Sequence, residues 1–395
     1  MMEGRYFFTP LEEFTKLNLS AGDIANKLRQ FLLSREELYD LGFPVTSTFP
    51  KGKAFFYIGS KSKYPNSKRT VNKPKSLLNA NAAVFIPSVK EEVNNTCTRP
   101  IYQNPNIKCV KFPQTPPKSS LNVNSAVYMP SDIINQKPSI ERVCARCDKS
   151  FFVTYEGEYL TLDQCTYHWG KLNQGYPYPV YTCCGGSSSS KGCCTSKLHV
   201  WNGYIDGMNG PFEGYVCTHN PKTPPRNGDY GVYGLDCEMC FTADGLDLSK
   251  VTIVKADGRI VYHSFVKPDK EIIDYNSRFS GITPETFRDP RFFKSLKEVQ
   301  MDLLKFINAK SILIGHSLNN DLRALKMIHT QVIDTSVLFP HPLGLPYRQS
   351  LKKLASLVLG RSIQQNSSGH DSIQDARASL ELALYHIGNT NIFTF

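Results

Sequence analysis

The stretch Tyr230–Phe241 sets the tightest limit on what this chain can fold into. It is apolar, reads as a strand, and places Asp236 and Glu238 two positions apart. Side chains alternate along a strand, so the two carboxylates share one face and Cys237 points to the other. Like charges on one face repel. Keeping both ionised makes physical sense with a cation between them, and hard carboxylate oxygens favour Mg²⁺ or Mn²⁺ over Zn²⁺. A lone Asp-x-Glu is a common pattern, so its weight comes from the acidic residues and the histidine that lie later in the chain.

Downstream, Lys250–Ala256 and Arg259–Val266 flank Asp257-Gly258, a type I′ hairpin signal that predicts three successive antiparallel strands. Ser295–Asn308 carries Leu296, Val299, Leu303, Leu304 and Ile307 at helical spacing. Ser311–Gly315 reads as a buried strand, Leu318–Ile328 as a helix and Gln331–Asp334 as a strand. Ser350–Leu359 and Asp371–Gly388 read as helices, the last with Ala376, Leu380, Leu384 and Ile387 as its apolar stripe. The pattern predicts an α/β domain over 230–390, a mixed sheet flanked by helices. Asp321 then falls in the first turn of a helix, where the dipole favours a carboxylate. His370 and Asp375 fall at the start of the last helix, with Asp371 one turn before Asp375 as a rival ligand. Asp-x-Glu, Asp and His-x(4)-Asp in this order are the groups that a two-metal phosphodiesterase needs.

The remaining chain is less uniform. With 395 residues there is room for more than one domain, and a net charge of +11 fits a polyanionic partner, nucleic acid before membrane. The first residues lack a signal-peptide pattern and no long apolar run is present, which predicts an intracellular protein with no membrane partner. Residues 1–45 read as a small helical element, with Thr9–Glu12 and Ser34–Glu37 as capping boxes and Ile24, Leu28, Phe31 and Leu32 on one face. Residues 46–140 form a basic, Pro/Ser/Asn-rich linker, an extended arm. Within it, Pro74–Ser88 and Pro117–Ser131 are a duplicated segment.

Residues 141–200 are rich in cysteine and histidine. Cys144-x-x-Cys147, Cys165-x-x-His168, Cys183-Cys184, Cys193-Cys194 and His199 have the close spacing of structural zinc modules holding one or two ions. Cys144, Cys147, Cys165, His168, Cys184, Cys193 and His199 are the candidate ligands, with Cys183 for Cys184 and Cys194 for Cys193 left open. The later cysteines, with Cys-Thr-Tyr-His-Trp-Gly before them, resemble the zinc pattern of CHORD domains. Cys237 and Cys240 are set aside as ligands, because Cys237 lies opposite the carboxylate face. Gly, Asn and Pro mark 201–229 as a connector.

Taken together, Tyr-Gly-Leu-Asp-Cys-Glu-Met, Phe-Val-Lys-Pro, Asp274–Thr283, Ile-Leu-Ile-Gly-His-Ser-Leu, the Asp334 segment and Gly-His-Asp-Ser-Ile-Gln-Asp-Ala resemble the RNA exonuclease 1 family, which includes the exonuclease GOR and belongs to the DEDDh branch of ribonuclease H-like nucleases. The resemblance covers about 141–390. It implies a ribonuclease H-like fold, with Asp236, Glu238, Asp321 and Asp375 as carboxylates for two Mg²⁺ or Mn²⁺ ions and His370 as general base. It further implies 3′→5′ hydrolysis of single-stranded RNA 3′ ends to nucleoside 5′-monophosphates, work in RNA processing or turnover, and a place in the nucleus or nucleolus. Ser280, Gly281, Ile282 and Thr283 would lie beside the terminal nucleotide. Action on DNA or on both nucleic acids, and a catalytically silent nucleic-acid-binding protein, are the alternatives. The zinc module would serve folding and RNA placement, apart from the catalytic core.

Overall fold

The structure, a computed structural model, describes residues 9–46, 53–58, 139–173, 178–205, 207–225, 228–365 and 369–389. The basic run from Lys61 to Lys75 and both copies of the duplicated segment lie outside the described residues. Three short helices come first: α1 (Glu12–Leu17), α2 (Ala21–Leu28) and α3 (Arg35–Asp40). Ser34 and Glu37 cap α3 reciprocally, as their spacing predicts. The Thr9 box does not form. Leu11 takes the cap position without a side-chain bond, because its N–H donates to Asp257 O at 3.0 Å and its side chain is buried on the domain behind it.

Seven strands make the central sheet. β1 (Val232–Thr242), β2 (Gly245–Lys255) and β3 (Ile260–Val266) run antiparallel in succession. β4 (Ile272–Asp274) pairs with the end of β1, and β5 (Phe293–Lys294) lies parallel to β3. On the other side, β6 (Ile312–Gly315) and β7 (Val332–Asp334) continue the sheet in parallel. The order β5-β3-β2-β1-β6-β7 puts β1 in the middle. The β2–β3 turn departs from type I′. Gly258 N–H donates to Lys255 O at 2.6 Å with φ at +91°, and Asp257 is absent from the positive-φ residues, so a type I turn closes on a left-handed glycine. The extra loop residue, Ala256, is buried in the core, which accounts for the longer loop.

Alternation along β1 sorts its side chains between two cores. Tyr233, Leu235 and Cys237 face helix α4 (Leu296–Leu303), where Val299, Leu303 and Ile307 are buried. Val232 faces the opposite layer, built from α2 and the long last helix. Between α4 and that last helix lie α5 (Asn319–Ala324), α6 (Leu351–Val358) and then α7 (Ser372–Gly388) itself. Helix α5 is shorter than the apolar pattern predicts. Met327–Ile328 leaves it to pair in parallel with Val216–Cys217, so the connector supplies a strand partner. Residues 53–58 of the expected arm are likewise built in: Ala54–Phe55 pairs with Val45–Thr46, and Phe56 is fully buried among Tyr204, Phe212 and Tyr215.

Candidate active site and cysteine–histidine clusters

Gly234 explains how α7 reaches the carboxylate strand. It lies on the α7 side of β1, and a Cβ there would come within 2.7 Å of Ala376 O and 3.1 Å of the Leu380 side chain. With nothing at that position α7 packs directly on the strand, which brings its first turn, and Asp375 within it, beside Asp236 and Glu238 on the same face. Asp321 arrives from the other edge. β1 and β6 pair only from Val232 to Gly234, and beyond that point Cys237 N–H donates to Asp321 Oδ1 at 2.8 Å. The loop leading into α5 is held by Asp334, which accepts from Ser317 N at 2.9 Å, Leu318 N at 3.1 Å and Ser336 Oγ at 2.7 Å. Arg348 offsets its buried charge at 3.4 Å.

Glu238, Asp321 and Asp375 are buried, Asp236 is partly exposed, and the four affect one another. Burial raises Asp236 well above the usual carboxylate range, and Asp321, Glu238 and Asp375 add to the effect. Burial pushes Glu238 up to about 8, with Asp375 and Asp321 adding to it and Lys250, its cross-strand partner, opposing it. Asp321 is pushed up to about 8 and Asp375 to about 6, both mainly by burial. Glu238 Oε1 and Asp375 Oδ1 are buried with no hydrogen-bond partner among the described residues. Buried acceptors are normally satisfied, and hard, partnerless oxygens in a cluster of negative charge suit a divalent cation. The residues present therefore fit the ions that the carboxylate pattern implies.

His370 stands at the rim. Its backbone N–H donates to the Phe279 carbonyl at 2.7 Å, its ring meets Phe279 edge-on at 6.0 Å, and Nδ1 is 3.8 Å from Asp375 Oδ2. Burial, then nearby Lys352, lowers its pKa, so the imidazole is neutral and able to accept a proton near pH 7. Asp371 is exposed and caps α7 through Ile373 N at 3.0 Å, which removes it as the rival ligand. Gln364, which sequence reasoning missed, donates to Asp375 Oδ2 at 2.7 Å. Of the four residues expected beside a terminal nucleotide, Ser280 and Ile282 are buried. Ser280 Oγ donates to Tyr275 O and accepts from Ile282 N, so the Ser280 side chain serves the turn itself and Ile282 joins it through its backbone. Gly281 is exposed and lies against Gly369, next to His370, while Thr283 caps the following turn.

Two groups of four cysteine and histidine ligand atoms form upstream, each with all atoms within 4.8 Å of one another: Cys144, Cys147, Cys165 and His199, and His168, Cys183, Cys184 and Cys193. The Cys165-x-x-His168 pair is thus divided. Cys165 opens a strand, paired through Tyr167 with Cys194, and His168 lies past the strand's end, so each serves a different cluster. Cys183 joins Cys184 as a member, and Cys194 is outside. In both clusters histidine Nδ1 faces thiols, at 3.3 Å from Cys147 and 3.4 Å from Cys184. The opposite nitrogen meets oxygen, Asp163 Oδ2 at 3.4 Å or Ser190 O at 3.2 Å, a partner arrangement that orients a ligating imidazole. Three thiols and one imidazole suit tetrahedral zinc, so either cluster could bind it. Cys237 and Cys240 are buried in neither cluster.

The clustered segment is bonded to the catalytic sheet. Arg146, between Cys144 and Cys147, pairs with Asp274 at the end of β4 at 2.6 Å, and Ser196 Oγ donates to the same carboxylate at 3.2 Å. Trp201 Nε1 donates to Ala243 O at 2.8 Å.

Comparison with known proteins finds matches to two regions of the chain. Residues 234–383 match the family model described as exonuclease, and residues 142–197 match the RNA exonuclease 3 middle domain. The chain is 45% identical over 250 residues to exonuclease GOR of Pan troglodytes, 62% of this chain and 35% of that protein. It is 44% identical over 257 residues to the human RNA exonuclease 1 homolog, 64% of this chain and 20% of that protein. It is 45% identical over 163 residues to RNA exonuclease 1 of Saccharomyces cerevisiae, 41% of this chain and 29% of that protein. These matches support the RNA exonuclease 1 family. The catalytic domain has the ribonuclease H-like exonuclease fold, and the matched region spans about a third or less of the length of these relatives.

Proposed function

We propose that this chain is an RNA exonuclease 1 family member that hydrolyses single-stranded RNA from its 3′ end, one nucleotide at a time, releasing nucleoside 5′-monophosphates. The observation that carries the reading is the set of four converging carboxylates, two of which keep a buried oxygen without a partner among the described residues. Asp236, Glu238, Asp321 and Asp375 would hold two Mg²⁺ or Mn²⁺ ions. Such ions, when bound, lower the pKa of a water and neutralise charge on a leaving oxygen. The protein's part is to keep the carboxylates dry and in place: Gln364 fixes Asp375, the Cys237 N–H fixes Asp321, and Gly234 lets α7 approach. His370 takes the proton of the attacking water, its lowered pKa keeping it in the neutral, accepting form. The net charge of +11 supports a polyanionic substrate. No helix among the described residues is long and apolar enough to cross a membrane. We place its work in RNA processing or turnover in the nucleus.

The test is incubation of 5′-labelled single-stranded RNA, and of DNA of the same sequence, with Mg²⁺ or Mn²⁺ beside the Asp236→Ala variant. Shortening of RNA that requires the metal and is lost in the variant supports the proposal. Faster shortening of DNA overturns the substrate choice, and RNA bound without turnover overturns the enzyme reading.

A further inference from the structure

Between the cysteine-rich segment and the catalytic sheet lies an open cleft of about 340 Å³, with Arg146, Tyr167, Trp169, Phe241, Arg278 and Phe279 among the residues in its wall. Neither the carboxylate site nor the metal clusters account for its chemistry. Trp169 is 37% exposed, a large aromatic left in water on a module that has few buried side chains to spare. The Arg278 guanidinium stacks on it, 4.6 Å from the ring centroid, is exposed, and makes no ion pair among the described residues. Arg146 is a cation of a different kind: half the wall's charge is settled because it is paired with Asp274, while its planar face lies over Tyr167 at 4.7 Å and Phe241 at 5.0 Å. The one carboxylate of the wall is therefore neutralised, and the unspent charge of the cleft is positive.

This combination of an exposed aromatic ring, Trp169, with an unpaired guanidinium is how sequence-tolerant sites hold single strands, bases on rings and phosphates on cations. Position decides which strand. The Trp169 ring meets Phe279 edge-on at 6.3 Å, and Phe279 in turn meets the His370 ring at 6.0 Å while its carbonyl accepts the His370 backbone N–H. The cleft thus opens directly beside the proposed base, with one aromatic ring shared between them. We infer that the cleft is a stacking site for the nucleotides preceding the 3′-terminal one, with a base on Trp169 and a backbone phosphate on Arg278. The inference rests on the exonuclease reading and adds to it that the cysteine-rich module supplies part of the substrate site. The module's expected part in RNA placement would then fall beside the carboxylate site, since His168, which joins the second metal cluster, and Trp169 next to it lie in the same wall.

The full chain contains two tryptophans, Trp169 and Trp201, and Trp201 is buried. Binding of an RNA octamer in Ca²⁺ should therefore quench the fluorescence of the wild-type protein, and Trp169→Ala should abolish the quench. Stacking is worth about 1–3 kcal/mol per base, equal to roughly a 5- to 150-fold effect. Wild-type kcat/KM should rise from dinucleotide to octamer, and Trp169→Ala and Arg278→Ala should each remove most of that rise, about 5-fold or more on the octamer. Trp169→Phe, which keeps a stacking face, should retain it. Equal length dependence in wild type and Trp169→Ala, or an unchanged quench, overturns the stacking site even if the protein degrades RNA. A protein that degrades neither substrate but loses its quench in Trp169→Ala keeps the binding site and refutes the exonuclease reading instead.

Discussion

Replacing Glu238 by glutamine should make the metal-free protein more stable while abolishing its response to metal. The reason lies in the buried charge. Glu238 is pushed up to about 8 chiefly by burial, with Asp375 and Asp321 adding to it, and one of its oxygens has no partner among the described residues. A carboxyl with a raised folded pKa binds its proton more tightly folded than unfolded. Its contribution is favourable below the unfolded value near 4.5 and is lost as pH rises through about 8. At about 1.4 kcal/mol per unit of displacement, the ionised group at pH 8 or above costs on the order of 3–5 kcal/mol. For a domain of this size that corresponds to a melting temperature difference of roughly 6–20 °C. Thermal unfolding in EDTA should therefore show Glu238→Gln melting higher than wild type at pH 8, with the gap closing toward pH 5. Added Mn²⁺ should raise the wild type by mass action and leave the variant nearly unmoved. A variant that melts lower than wild type in EDTA at pH 8, or a wild type indifferent to Mn²⁺, would refute the argument that these carboxylates are held apart for a cation.

Other outcomes rest on the same geometry. His370→Ala should lower kcat by about 10²–10⁴ with RNA affinity kept, as measured by single-turnover kinetics and fluorescence anisotropy, and raising Mg²⁺ should not rescue it. Because burial and then Lys352 lower the His370 pKa, the acid limb of the kcat profile should fall below the ordinary histidine value, and Lys352→Ala should move it upward. Gln364→Ala removes the donor to Asp375, so the Mn²⁺ concentration for half-maximal rate should rise by about 10-fold or more, the range seen for partners of metal ligands. Zinc content should be two per chain and fall to about one in both Cys147→Ser and Cys193→Ser, since each removes a ligand from a different cluster; loss of both ions in either variant would show that the clusters are not independent.

Strand alternation made most of the active site legible. Asp236 and Glu238 on one face, with Cys237 on the other, follows from the period of two, and Asp321 and Asp375 fall in first turns that helix patterns locate. What sequence could not reveal depends on contacts between distant segments. Cys165 and His168 read as one pair because they are three apart, yet the strand that begins at Cys165 ends before His168, and folding sends them to separate clusters. Met327 and Ile328 continue an apolar helical pattern, and only the presence of Val216–Cys217 draws them into a strand. Ser280 and Ile282 lie in the segment expected beside a nucleotide, and only folding shows that both side chains are buried while Gly281 between them is exposed. Gln364 sits in an irregular loop ahead of α7, where no periodicity points toward Asp375. Arg146 reads as a spacer between two cysteines, and its bond to Asp274 is visible only once the modules are side by side.

The most direct test of the account is the product of a single-turnover reaction on 5′-labelled single-stranded RNA with Mn²⁺. Four carboxylates and His370 acting on the terminal phosphodiester predict a ladder that shortens one nucleotide at a time from the 3′ end, nucleoside 5′-monophosphates as the released product, and no reaction in EDTA. Internal cleavage, release of nucleoside 3′-monophosphates, or an equal rate in EDTA would contradict it.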